Sequence, residues 1–268
     1  MLRLHDTLTR AVRTVEPLTP GQLRLYSCGP TVYRSVHIGN LRTYLLADWI
    51  KRAARGAGLQ VRHVKNITDV GHMRQELAER GGDKVITAAL AAGRTPREIA
   101  DAYEADFHAD EAALGIEPAD VFPRATGHIP EMIALIERLQ RRGLAYAAGG
   151  NVYFDTAAHP GYGRLSGNVT AALQAGAAAE ADPHKRHPAD FTLWKGAEPG
   201  RRFMVWESPF GLGFPGWHIE CSAMSMAYLG ESFDLHTGGV DNVFPHHEDE
   251  LAQSEGATGA PFAQLWVH

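Results

Sequence analysis

Two cysteines, a histidine and a glutamate four residues apart, and a short histidine-bearing helix start are the residues whose types and spacing could do chemistry here. In Pro245-His-His-Glu-Asp-Glu250, His246 and Glu250 are separated by one helical turn. On a helix they project from one face and can hold a single metal ion. Such pairs also decorate ordinary solvated faces. Cys28 and Cys221 are the only cysteines. Two thiolates, one imidazole and one carboxylate form a set that suits Zn²⁺ better than Mg²⁺ or Ca²⁺. The separations along the chain are long, and spacing alone does not bring the four groups together.

The elements that must position these groups begin with Leu25-Tyr-Ser-Cys-Gly-Pro-Thr-Val-Tyr33 and run into His37-Ile-Gly-Asn40. Leu23, Leu25 and Tyr26 read as a strand, Gly29-Pro30 breaks it, and Gly39 opens an amphipathic helix to about Arg55 that carries Leu41, Tyr44, Leu45, Ala47, Asp48 and Trp49. The first N–H groups and positive dipole end of such a helix form an anion site, to which His37 and Asn40 can add donors. Read alone, the stretch fits equally an ordinary strand with a half-buried cysteine and a turn. Leu59 to Ile67 alternates as a second strand, so strand, helix and strand predict a parallel crossover, followed by the polar end Thr68-Asp-Val-Gly-His72.

Further along, Thr95-Pro-Arg-Glu98 is a capping box that opens a helix with Ile99, Tyr103 and Phe107 inward. Met132, Leu135, Ile136 and Leu139 form the stripe of a short helix, and Ala147-Ala-Gly-Gly150 reads as a hairpin turn. The alanine-rich stretch 171–181 reads as an excursion or weak helix. Phe191 to Lys195 is expected to return the chain to the main sheet. Trp217 to Leu229 and about Pro245 to Glu255 read as helices, with the glycine turn Thr237-Gly-Gly-Val-Asp241 before the second. Residues 1–20 read as a lead-in without a convincing strand. The expected division is 1–120 as the first part of a sheet domain, 121–205 as an insertion, and 206–268 as its second part.

A length of 268 residues with 44% hydrophobic content fits a globular protein of one or two domains. The net charge of −5 excludes a globally basic nucleic-acid binder and leaves only local patches such as Lys51-Arg52, Arg138 with Arg141-Arg142, Lys185-Arg186 and Arg201-Arg202. No apolar run reaches membrane-spanning length and the N-terminus lacks a signal-peptide core, so no membrane contact and a cytoplasmic location are expected. Two cysteines are too few for a disulfide scaffold.

Cys28-Gly-Pro-Thr-Val-Tyr33, His37-Ile-Gly-Asn40, Asn66-Ile-Thr-Asp69, Phe191-Thr-Leu-Trp-Lys195, Gly216-Trp-His-Ile-Glu-Cys-Ser-Ala-Met224, Asp234-Leu-His-Thr-Gly-Gly239 and Phe244-Pro-His-His-Glu248 together resemble the cysteinyl-tRNA synthetase family, in order. His37 to Asn40 is then this chain's version of the class I HIGH signature, with Asn40 in place of the last histidine. The resemblance implies an α/β, Rossmann-type parallel sheet interrupted by a connecting insertion, and zinc on Cys28, Cys221, His246 and Glu250. It implies L-cysteine, ATP with Mg²⁺, and the acceptor end of tRNA(Cys) as partners of a monomer. His37 and Asn40 become positioning groups for the reaction. Thr68, Trp217, His236 and Asp241 frame the amino acid and nucleotide, with Gly29, Thr31, Gly39, Gly238 and Gly239 beside them; core packing for Trp217 and turn stabilisation for Asp241 are the alternatives.

The family's lysine-bearing KMSKS loop and its anticodon-reading helical domain have no counterpart within these residues. The chain is therefore read as the front part of a longer synthetase. An ATP-dependent cysteine ligase with a small amine acceptor and a non-catalytic zinc-dependent cysteine-binding module are the competing readings, separable by tRNA charging and by pyrophosphate exchange.

Overall fold

The computed structural model describes residues 2–70, 84–167 and 182–268. The readings placed on His72 and on 171–181 lie outside them. Strands β1 (Arg3–Asp6) and β2 (Ala11–Thr14) form an antiparallel hairpin where the sequence suggested only a lead-in. Their apolar alternation is confined to Leu2 and Leu4, which pack against the core, a run too short to read as a strand. Then come β3 (Gln22–Ser27), α1 (Ile38–Gly56) and β4 (Gln60–Lys65), and β3 pairs with β4 in parallel, Leu25 opposite His63. The expected strand, helix and strand unit is present.

After α2 (Lys84–Ala92) and α3 (Pro96–Ala113) the chain returns to the sheet. The α3 capping box forms as expected, with Glu98 N donating to Thr95 Oγ1 and Thr95 N to Glu98. Val64 bridges Val121 and Ile67 bridges Arg124 in parallel, so residues 121–124 extend the sheet beyond β4. Helix α4 (Ile129–Arg141) buries its predicted stripe, and β5 (Ala145–Ala148) and β6 (Asn151–Phe154) form the predicted hairpin. Its turn residues Gly149 and Gly150 take φ of +59° and +82°, which only glycine adopts freely.

Strand β7 (Phe191–Gly196) corrects an expectation. It pairs antiparallel with β6 and with β8 (Gly213–Pro215), giving a second sheet in the order β5-β6-β7-β8, rather than rejoining the parallel one. An aromatic strand fits either sheet, and the choice is made by packing: Phe191, Leu193 and Trp194 share a core with Met132, Leu135 and Leu139 of α4. The chain then forms α5 (Trp217–Leu229), β9 (Phe233–Thr237), an irregular turn over 243–247, α6 (Glu248–Thr258) and β10 (Ala263–Val267). The last helix starts three residues later than expected, because Phe244 is extended at φ −140°.

The parallel sheet has the order β10-β9-β3-β4. Alternation along β3 divides its faces: Leu23 and Leu25 pack with Ile50 and Ala54 of α1, while Tyr26 packs with Cys221 and Leu229 of α5 and Leu251 of α6. Two further readings change. Lys51, expected in a surface patch, is buried and donates to the carbonyls of Glu117 and Pro118. Trp49, expected on the apolar face of α1, is 62% exposed.

Candidate metal centre and nucleotide cleft

Parallel strands end with their carboxyl edges in line, so groups carried just past those ends converge. Cys28 follows β3, and Gly29 makes the approach to β4 that brings it there: its N–H donates to Asn66 Oδ1 at 2.9 Å, and a Cβ would lie 1.7 Å from the Asn66 carbonyl oxygen. Cys221 stands on the second turn of α5, His246 in the turn before α6, and Glu250 in its first turn. The candidate ligand atoms of Cys28, Cys221, His246 and Glu250 all lie within 4.8 Å of one another, and all four residues are buried. The same holds for Cys28, His236, His247 and Glu250.

The distances describe a tightly paired cluster. His246 Nε2 is 2.9 Å from Glu250 Oε1, and His236 Nε2 is 2.9 Å from Glu250 Oε2. Cys28 Sγ lies 3.2 Å from His247 Nε2, whose Nδ1 is 2.6 Å from His268 Nε2. Burial and the neighbouring Cys221 and Glu250 push the Cys28 thiol up, whereas the hydrogen bond from Cys28 outweighs burial at Cys221 and brings that thiol down. Burial opposes charge on His246, but Glu250 and Cys221 push it up to about 10. Burial likewise opposes charge on Glu250, which His236 and His246 hold down to about 2. A buried set of two sulfurs, one nitrogen and one oxygen, already negative enough to hold a proton on His246, fits a zinc ion.

Other sequence-selected residues are distributed around this cluster. Trp217, 37% exposed, stacks on the His246 ring at 4.3 Å and forms its lip toward solvent. His236 is fully buried, stacked on Trp266 at 4.5 Å, so it stands behind Glu250 rather than in the open cleft. Thr68 is 1% exposed; its hydroxyl accepts from Asn66 Nδ2 at 3.1 Å, and its backbone bridges Thr31. Gly238 is tight against His247, where a Cβ would lie 2.3 Å from the ring. At Gly239 a Cβ would meet the exposed Asp241 carboxylate at 2.3 Å.

The N-terminus of α1 is open. His37 caps it through Nδ1, which accepts from the N–H groups of Gly39 at 3.1 Å and Asn40 at 3.4 Å, while Asn40 Oδ1 accepts from His37 N at 3.2 Å. A Cβ at Gly39 would lie 3.0 Å from the ring, so glycine lets the imidazole fold over the helix end. With Nδ1 accepting, the neutral ring carries its proton on Nε2 as a donor. The side chains that reasoning from sequence missed are His218, His247, Asp249 and His268, which surround the cluster. His218 and Asp249 lie inside motifs already singled out; their signal is a polar group at a helix position buried all round.

The model of the catalytic domain of class I (C) tRNA synthetases matches residues 14–268. The cysteine–tRNA ligase of Chlorobaculum tepidum is 47% identical over 272 residues and that of Thermus thermophilus 48% over 267, each match covering the whole of this chain and 55% of the relative. The chain thus spans about half the length of the curated relatives it matches. Among solved structures, Mycobacterium tuberculosis methionyl-tRNA synthetase in complex with methionyl-adenylate superposes with a TM-score of 0.66 at 18% identity, covering 92% of this chain and 57% of that one; it shows the α/β fold. No helix among the described residues is long and apolar enough to cross a membrane.

Proposed function

Since the chain belongs to the catalytic-domain family of class I (C) tRNA synthetases, we propose that it activates L-cysteine with ATP and, within the full-length enzyme, passes the cysteinyl group to tRNA(Cys). The observation that carries this reading is the buried convergence of Cys28, Cys221, His246 and Glu250 at the sheet edge that also carries the exposed, His37-capped N-terminus of α1. Those four residues would hold zinc. When bound, zinc supplies a soft acid that takes a thiolate directly and offers little to a hydroxyl, which matters because a pocket of the right size separates cysteine from serine only modestly.

The cysteine carboxylate attacks the α-phosphorus of Mg²⁺-ATP, the bond to pyrophosphate breaks, and the terminal hydroxyl of tRNA later attacks the acyl carbon and releases AMP. The side chains have little covalent work to do; they hold the reactants in line and stabilise phosphate charge. His37 Nε2 and the positive end of α1 serve the phosphates, with Asn40 fixing the His37 backbone. Gly238, Gly239 and Asp241 form the adenosine side, and Trp217 borders the amino acid. Thr68 with Gly29 and Thr31 forms the floor between them. The connecting insertion, expected over 121–205, is better assigned after residue 124, because 121–124 extend the parallel sheet, and through β8 (Gly213–Pro215), which pairs with β7. Buried free thiols and ATP dependence suit the cytoplasm.

The test is cysteine-dependent ATP–pyrophosphate exchange by the full-length protein, with and without zinc. Exchange with cysteine but not serine, lost on chelation, is expected. Absence of exchange, or equal exchange with serine, overturns the reading.

A further inference from the structure

The two sheets end differently. At β10 the N-terminal hairpin covers the outer edge of the parallel sheet, with Thr7 N donating to the Trp266 carbonyl at 2.7 Å. Beyond β8 the second sheet ends, among the described residues, on Trp206, which exchanges both of its backbone bonds with Gly213. Trp206 N donates to Gly213 O at 2.8 Å, and Gly213 N donates to Trp206 O at 3.0 Å. An antiparallel pair of this kind points the N–H and C=O groups of the flanking residues the other way. Those of Val205 and Glu207 therefore face outward, and none has a hydrogen-bond partner among the described residues.

Beside this edge runs a groove of about 480 Å³, whose far wall is one flank of α4 and whose near wall is Trp206. Ile129, Ile133 and Glu137 recur at four-residue intervals along that flank and form a single ridge. Trp206 is half-buried against the α4 core while Glu207 is exposed, as alternation along an extended edge requires. Among the described residues neither Glu137 nor Glu207 has an ion pair or a side-chain hydrogen bond, and the neighbouring Arg138 is taken by Glu231. A lone charge on an edge is an ordinary guard against self-association. A guard needs neither an apolar groove beside it nor a second unpaired carboxylate across that groove. We propose that the Trp206 edge is a docking site for an extended segment of a partner protein in which apolar residues alternate with Lys or Arg. The segment adds as a further strand, its backbone bonding to the outward groups of Val205 and Glu207. Its apolar side chains lie on one face, against Trp206, Ile129 and Ile133; its cations pair with Glu207 across the strands and with Glu137 at the end of the groove. Two unpaired carboxylates repel a phosphate backbone, which separates this edge from any path a nucleic acid takes.

The test is fluorescence anisotropy of the full-length protein with a labelled, end-blocked peptide of alternating Lys and Ile, about six residues long. Saturable binding is expected. The same peptide methylated at every second backbone nitrogen cannot donate along one edge and should bind about tenfold more weakly, and a peptide with Glu in place of Lys should not bind. The double variant Glu137→Gln, Glu207→Gln should weaken the Lys peptide about two- to tenfold, with thermal unfolding and cysteine-dependent pyrophosphate exchange as in the wild type. No saturable binding, equal binding of the methylated peptide, or an unchanged affinity in the double variant overturns the docking site. The methylated peptide is tested on the wild-type protein, so it decides the matter even if the double variant does not fold. Equal binding of a peptide of alternating Lys and Ser also overturns it, by showing charge attraction without use of the groove.

Discussion

The cluster around Cys28 and the N-terminus of α1 lie on the same edge of the same sheet, yet they are built on opposite terms. In the cluster three of the donors have further imidazole partners: Cys28 has His247, His246 has His218 and Glu250 has His236. All are buried, so their geometry is fixed before anything binds. At the helix end Ile38 is 86% exposed, and His37 and Asn40 bond back onto their own first turn. The thiol side is preformed. The helix end holds itself with capping bonds that an incoming anion could replace, which, on the proposed reading, suits a substrate that must arrive and leave as different species.

The sharpest break of that contrast is Cys221→Ser, which should reduce zinc from one equivalent to near none per chain by metal analysis; unchanged zinc content would show that the preformed side does not need its second sulfur. Next comes His37→Ala, which should slow cysteine-dependent pyrophosphate exchange ~10²–10³-fold while lowering stability only by the ~0.5–2 kcal/mol of a lost cap. If exchange and stability fell in the same proportion, His37 would be a cap and nothing more. Gly29→Ala, placed between the two regions, should destabilise by about 3 kcal/mol in denaturant unfolding, because the backbone of Asn66 cannot retreat from a new methyl group.

The smallest effect is expected behind the cluster, at Asp6. Burial raises its pKa, but donation from Trp266 N, Thr9, Arg13 and Leu8 N prevails and holds the carboxyl below the usual carboxylate range. A lowered carboxyl contributes stability in full above its unfolded value near 3.8 and loses it as pH falls through the lower folded value. Asp6→Asn should therefore cost about 1–2 kcal/mol at neutral pH and flatten the acid limb of the thermal-stability profile. An unchanged acid limb would mean that other carboxylates set it.

How much was legible follows the same division. The strand and helix that carry Cys28 and His37, the capping box at Thr95 and the stripe on α4 are local features, written in spacing, and the structure contains them. The sheet that β7 joins depends on which apolar face reaches it, information that Phe191 and Trp194 do not carry by themselves. The β1-β2 hairpin is held by Asp6 and Thr7 against Trp266, a partner no local window includes. Spacing put His246 and Glu250 on one face but could not count Asp249, which points the other way and meets His218 and Tyr162.

That hairpin also sets a timetable. Asp6 receives its bond from Trp266, 260 residues later, and at about 5–20 residues per second a ribosome needs on the order of 13–50 s to deliver that partner. Cys28 leaves the tunnel early, whereas Cys221, His246 and Glu250 emerge close together, much later. Throughout that interval the nascent chain offers metal a single thiol. On the zinc reading proposed above, metal capture and closure of the sheet edge would be nearly simultaneous events, and a chain made without the metal would keep Cys28, at the end of an inner strand, apart from its would-be co-ligands.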